Sequence, residues 1–237
     1  MLRFFRQLRQ RLLTDNKFSK YLLYAIGEIL LVVIGILIAL QIDNWNEANK
    51  EKAFEQKVLR EMLMDVKEDL NEMANALDSL KKAQDAGQLI VGHLNQQRAY
   101  HDSLNEHFAD ALKFWSLAPN MTSFDMAKAE GMYFITNDSI RFYVSKVNGS
   151  YFDYVRVLES RFQDYLSNVV LPYTQPLFYS YNITAMEPIN YEALKHDATY
   201  LGIIRTIIPM RTRYRNWLKE RYEVLNKLHG MLQKELE

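Results

Sequence analysis

An all-α fold is what this chain's composition and periodicity predict, and three observations carry that expectation. Eight Gly and five Pro in 237 residues are few breakers, and no Pro precedes Pro119. Two long stretches near the ends keep apolar residues on a 3.5-residue period. Residues 21–40 form an unbroken apolar run in which Glu28 is the single charge. The expected architecture is an N-terminal transmembrane helix continuing into an elongated helical bundle. The 29 basic residues match 29 acidic ones, so no general nucleic-acid footprint is expected. The lack of Cys removes disulfides, thiolate metal sites and Cys nucleophiles together.

In chain order, MLRFFRQLRQRLL comes first. Phe5, Leu8 and Leu12 share one helical face and arginines cover the rest, so residues 1–20 form a basic amphipathic segment suited to an anionic leaflet. The plainer alternative is a topology signal and nothing more. Residues 21–40 follow, spanning about 30 Å at 1.5 Å per residue, the thickness of a bilayer's hydrocarbon core. The apolar core of a signal peptide is shorter, roughly 7–15 residues, and Ala39-Leu40-Gln41-Ile42 offers no small-x-small cleavage site. An uncleaved single span over 21–42 is expected.

Arg3, Arg6, Arg9, Arg11, Lys17 and Lys20 precede the span against the single acid Asp15, and acidic Asp43-Asn44-Trp45-Asn46-Glu47 follows it. That asymmetry puts the N-terminus in the cytoplasm and residues 43–237 outside. No cytoplasmic output domain is expected before the span. Within it, Ala25, Glu28, Val32, Gly35 and Ala39 fall on one face with 3-4-3-4 spacing. Gly35-x-x-x-Ala39 lets a second backbone approach closely, and a protonated Glu28 could bond across that contact. This face is expected to associate with itself or with a membrane-protein partner. A snorkelling Glu28 with no partner, or a proton or ion path, are the alternatives.

The block KFSKYLLYAIGEILLVVIGILIALQIDNWNE, Lys17 to Glu47, closely resembles the opening of a family of uncharacterised Bacteroidota membrane proteins known only as a domain of unknown function. Ser123-Phe124-Asp125 to Gly131 and on to Ile135 resembles a second block of that family, although Met126 to Glu130 depart from its usual Leu-Lys-Ser-Ser. The resemblance implies an inner-membrane protein with a periplasmic helical domain. It brings no activity, cofactor or catalytic residue.

Beyond the span, residues 46–94 read as one helix with a seam at Leu59, Leu63, Val66, Leu70, Met73, Leu77 and Leu80, continuing over Gln84 and Gly87 to Val91 and Leu94. Gln84 and Gly87 on the seam predict a looser region near 84–88. Residues 197–236 mirror it through Tyr200, Ile204, Ile207, Tyr214, Leu218, Leu225, Leu228 and Leu232, with a kink or restart at Pro209. The two arms are expected to pair antiparallel in coiled-coil fashion. Glu61, Asp65, Glu68, Asp69 and Glu72 would then face Arg205, Arg211, Arg213, Arg215, Lys219 and Arg221, with Arg211–Arg215 opposite 67–71.

The middle reads as helices over Tyr100–Leu117 and Ser123–Glu130, the latter ended by Gly131, and then a helix from Ser139 capped by Asn137 or Asp138. Asn148-Gly149 interrupts it before a further helix at 151–170. Pro172, Pro176 and Pro188 mark a loop. The aromatics of this region, Phe142, Tyr143, Phe162 and Tyr165 among them, serve a bundle core or a glycan- or peptide-binding surface.

Catalytic patterns are thin. His101 and His107 are six apart, on different helix faces, so no metal site is expected, and no cofactor. Ser79-x-x-Lys82 matches a Ser/Lys nucleophile spacing by chance, inside the heptad helix. An enzyme is therefore not expected. If the family resemblance holds, Ser79, Ser103 and Ser139, each in an Asp-Ser-apolar triplet, are candidate O-glycosylation sites. The functional expectation is a non-enzymatic scaffold or accessory subunit whose partners are the lipid bilayer and a membrane protein or a second copy. The alternative is a ligand-sensing bundle that signals through a partner.

Overall fold

In a computed structural model, residues 18–147, 149 and 152–237 are described. Of the basic amphipathic segment expected over residues 1–20, residues 1–17 lie outside them, as do Asn148 and Tyr151, and residues 18–20 already belong to the first helix. The chain is all-α: α1 Phe18–Asn95, α2 Leu104–Leu112, α3 Thr122–Ala129, α4 Asp138–Lys146, α5 Phe152–Tyr165, α6 Leu171–Thr174, α7 Tyr191–Lys195 and α8 Ala198–Leu236. Among the described residues no strand forms, and one isolated bridge joins Phe178 to Pro188.

The chain divides into a unit ending at Phe54 and a second, Glu55–Glu237. In the first, residues 29–54 of α1 are exposed throughout. Among the described residues α1 is the one helix long and apolar enough to cross a membrane, with a window of mean hydropathy 2.6 that nothing in the protein buries. An exposed apolar surface of that length requires an apolar surrounding, which fits a single-pass membrane protein.

The second unit is built on α1 from Glu55 onward and on α8. Every expected seam residue of α8 is buried, from Tyr200 to Leu232. Each such side chain stabilises the fold by about 1.5–3 kcal/mol through burial alone. The α1 stripe is wider than a two-helix seam: Met62, Ala76, Ala83, Ala86 and Ile90 are buried, while Leu63 and Leu77 are half-buried. The reason is geometric. Helices α3, α4 and α5 also contribute to the core, so α1 needs a broad apolar face. Its packing starts at Glu55, since residues 46–54 stay exposed.

The antiparallel pair forms, in a register displaced from the one charge predicts. Arg205 Nη2 donates to Asn95 Oδ1 at 2.9 Å, Arg211 Nη1 to the Ala83 carbonyl at 2.9 Å and Arg215 Nη1 to Gln84 Oε1 at 3.4 Å. Arg211 and Arg215 therefore stand beside residues 83–84 and not 67–71. The acidic band does different work. Glu72 Oε1 accepts the Ala118 N–H (3.2 Å), Asp69 Oδ1 the Asn120 N–H (2.9 Å) and Asp65 Oδ2 the Ser123 N–H (3.2 Å). Glu55 accepts the Thr136 N–H at 2.6 Å. Backbone donors between helices or in the first turn of one have no helical acceptor, and a carboxylate is a strong one, so these acids tie the connecting segments to α1.

Three further expectations change. Residues 84–88 are tight: a Cβ at Gly87 would lie 3.2 Å from Ile208 Cγ1, so the small residue serves close helix approach. Pro209 causes no restart, as α8 runs through it. Helix α2 covers only Leu104–Leu112, and the chain stays helical past Pro172, through a π-helical turn at Leu166–Val170 and a 3₁₀ turn at Gln175–Leu177. The wide turn closes with the Leu171 N–H donating to the Leu166 carbonyl, immediately before a residue that has no N–H. The caps at Asn137, which accepts from the Ser139 and Ile140 amides, and at Gly131, with φ +78°, are as expected.

Candidate functional site

The apolar core of Glu55–Glu237 falls into two clusters. One surrounds Leu59–Leu80 with Tyr214–Leu232; the other surrounds Ile90–Leu112 with Phe162 and Tyr200–Ile207. Arg211 lies between them. It occupies a core-facing position of α8, between Ile207 and Tyr214 on the 4-3 spacing, and is 2% exposed. Its Nη1 donates to Ala83 O, and its Nη2 donates to Ala111 O at 3.1 Å and Lys113 O at 2.8 Å. The last two acceptors are at the C-terminal end of α2, where carbonyls lack helical partners and the dipole favours a cation. Burial lowers the guanidinium to about 10, so it remains charged at neutral pH.

A cavity of about 240 Å³ opens beside this arginine. Helix α1 supplies Leu80, the segment after α2 supplies Lys113, Phe114 and Trp115, α5 supplies Leu158, Glu159, Arg161 and Phe162, and α8 supplies Met210, Arg211, Arg213 and Tyr214. Phe114 and Phe162 stack with ring centroids 5.2 Å apart and 13° between planes, forming one aromatic wall. Glu159 is held firmly. Its Oε1 accepts the Tyr214 hydroxyl at 2.6 Å and the Leu117 N–H at 3.0 Å, and its Oε2 accepts the Ser116 hydroxyl at 3.2 Å. Burial, then the hydrogen bond to Glu159, raises the Tyr214 phenol far above its ordinary range. A broader, more open depression around Pro209 and Trp217, about 580 Å³, lacks such an enclosed floor.

A family profile described as a family of unknown function (DUF6090) matches residues 28–184. The chain belongs to this family. Its match starts at Glu28 inside the apolar run and includes α2 to α5, which contribute Lys113–Trp115 and Leu158–Phe162 to the cavity, whereas α8 lies beyond it. No curated protein and no solved structure matches the chain.

The residues singled out in the sequence are dispersed. Ala25, Glu28, Val32, Gly35 and Ala39 all lie on α1 before Glu55, with Val32, Gly35 and Ala39 exposed and Ala25 and Glu28 half-exposed. A Cβ at Gly35 would meet nothing within 4 Å. Ser79 is half-buried in mid-helix, one residue from Leu80 of the cavity floor. Ser103 and Ser139 are exposed at the starts of α2 and α4. His101 meets His93, not His107: the two rings stand edge to face at 5.3 Å.

Arg211, Glu159 and the cavity itself were not legible as a site. The one available signal was a charge on a core position of the α8 seam. Glu159 carries no local mark, because its partners are 42 to 55 residues away in sequence.

Proposed function

We propose that this chain is a single-span inner-membrane protein whose periplasmic domain binds and presents, and does not catalyse: a scaffold or accessory subunit. The observation that supports this best is how the polar groups around the cavity are engaged. Glu159 takes three protein donors, Arg211 serves three main-chain carbonyls, and Lys113 pairs with Asp110. Groups so occupied fix structure, and a general acid, base or nucleophile needs a free face toward a substrate. The anchor docks through the face of Ala25, Glu28, Val32, Gly35 and Ala39, onto a second copy or another membrane protein.

Purification of the intact protein in a mild detergent tests the role. Stable co-purifying membrane proteins, or a defined homo-oligomer, are expected, and a strictly monomeric protein without companions would refute it. For topology, a phosphatase reporter fused after Glu237 should be active only if exported; activity of a cytoplasm-only reporter at that position refutes the orientation. The cavity between the two core clusters favours a second reading, a ligand-sensing domain that signals through the same partner.

A further inference from the structure

The cavity beside Arg211 is graded in polarity from floor to rim. Leu80, Phe162 and Tyr214 are buried, whereas the cationic residues Lys113, Arg161 and Arg213 are exposed. We propose that it binds a small amphipathic anion, an aromatic body carrying one carboxylate, with Arg161 as the head-group cation. This inference is independent of the scaffold role.

Charge selects the sign of the ligand. Four cations and one acid line the cavity, and the acid, Glu159, is occupied by its three donors. Lys113 is neutralised by Asp110, and Arg211 is committed to carbonyls. Arg213 donates to the neutral Tyr154 hydroxyl at 2.8 Å. Arg161 has no hydrogen-bond or ion-pair partner among the described residues, and its guanidinium is the group able to take a carboxylate in bidentate fashion. Size selects the body. An apolar cavity of about 150 Å³ accommodates benzene, so 240 Å³ accommodates a fused bicyclic ring against the Phe114–Phe162 wall. An apolar floor with a few convergent polar groups at the rim is the usual form of a small-molecule site.

The test is calorimetric titration of the full chain in lipid nanodiscs, blanked against empty nanodiscs, with naphthalene-2-carboxylate and neutral 2-naphthylmethanol. One saturable site is expected, preferring the carboxylate by about tenfold or more. Arg161→Gln should remove that preference and leave the alcohol's affinity unchanged. Leu158→Trp, which fills the cavity, should abolish binding of both; Met210→Trp replaces it if the first variant fails to give a wild-type melting curve. The proposal is overturned by equal affinity for the two probes, by a preference that survives Arg161→Gln, by binding that survives the filled cavity, or by no saturable binding to the folded wild type. Co-purification of membrane partners reads the scaffold role separately, so either idea can fail alone.

Discussion

Arg211 and Ala83 are joined across the bundle by a 2.9 Å hydrogen bond from the guanidinium to a main-chain carbonyl, at the level where the apolar core divides in two. The same side chain reaches the carbonyls of Ala111 and Lys113, so one residue of α8 holds both α1 and the end of α2. Small residues line this stretch of α1: Ala83 and Ala86 are buried, and at Gly87 an added Cβ would lie only 3.2 Å from Ile208 Cγ1.

Arg211→Met should therefore destabilise the domain by about 2–4 kcal/mol, since three buried or half-buried carbonyls lose a charged donor while apolar volume is retained. Arg211→Lys should recover part of the loss, because an ammonium replaces some of the donors but not the planar fork. Urea unfolding of the full chain followed by tryptophan fluorescence measures both, as Trp115 and Trp217 report from the core around Arg211. A Met variant as stable as the wild type would show that the guanidinium is dispensable.

Asp69 sets a pH dependence. Burial raises its carboxyl to about 6, reinforced by Glu72, Asp65 and Glu68 and partly opposed by the hydrogen bond from the Asn120 amide. Its Oδ1 accepts that N–H while Oδ2 is buried without a partner among the described residues. A carboxyl raised in the folded state favours folding when protonated. Its contribution is complete below pH 3.8 and lost as pH rises through about 6. Asp69→Asn, which keeps the acceptor and removes the charge, should raise the melting temperature at pH 8 by roughly 3 °C or more. The gap to wild type should close toward pH 4. A gap independent of pH between 4 and 8 would contradict this.

The neighbouring acid works by geometry. Asp65 accepts both the Asn120 side-chain amide at 2.9 Å and the Ser123 N–H at 3.2 Å, the latter at the start of α3. Asp65→Ala should release this connection, seen as faster hydrogen exchange at Asn120 to Phe124 with α8 protection unchanged. Equal exchange in wild type and variant would mean the carboxylate holds nothing there.

These acids show where sequence reasoning reached and where it stopped. The α8 seam was legible residue by residue, because a 3.5-residue period on one helix needs no knowledge of its partner, and Tyr200 to Leu232 are buried as that period requires. The apolar span at 21–40 was legible for the same reason. Register was not. Opposite charges on two helices suggest facing bands, but exposed ion pairs are worth only about 0.2–1 kcal/mol. A non-helical segment with unpaired N–H groups outbids arginines for the carboxylates, since a backbone donor left without an acceptor costs about 1–3 kcal/mol. Glu159 was invisible for a related reason: its partners Ser116, Leu117 and Tyr214 come together only when α5, α8 and the segment after α2 have packed.

The displaced register itself can be tested by disulfide trapping, and the chain has no native Cys to confuse the result. A Cβ placed on Gly87 lies 3.2 Å from Ile208 Cγ1, and that atom is one bond from the Ile208 Cβ. The two Cβ atoms are then at most about 4.7 Å apart, close to the span a disulfide accepts. Gly87→Cys with Ile208→Cys should oxidise readily within one chain. Asp69→Cys with Arg213→Cys, the pair that facing charge bands would favour, should not, because Arg213 reaches Tyr154, its helix neighbours Arg211 and Arg215 reach Ala83 and Gln84, and Asp69 is turned to Asn120. Non-reducing electrophoresis after proteolysis between residues 88 and 207 reads the outcome directly, since only a bridged chain keeps its fragments together. A trapped 69–213 pair with no trapped 87–208 pair would return the arms to the charge-matched register and overturn the placement of Arg211.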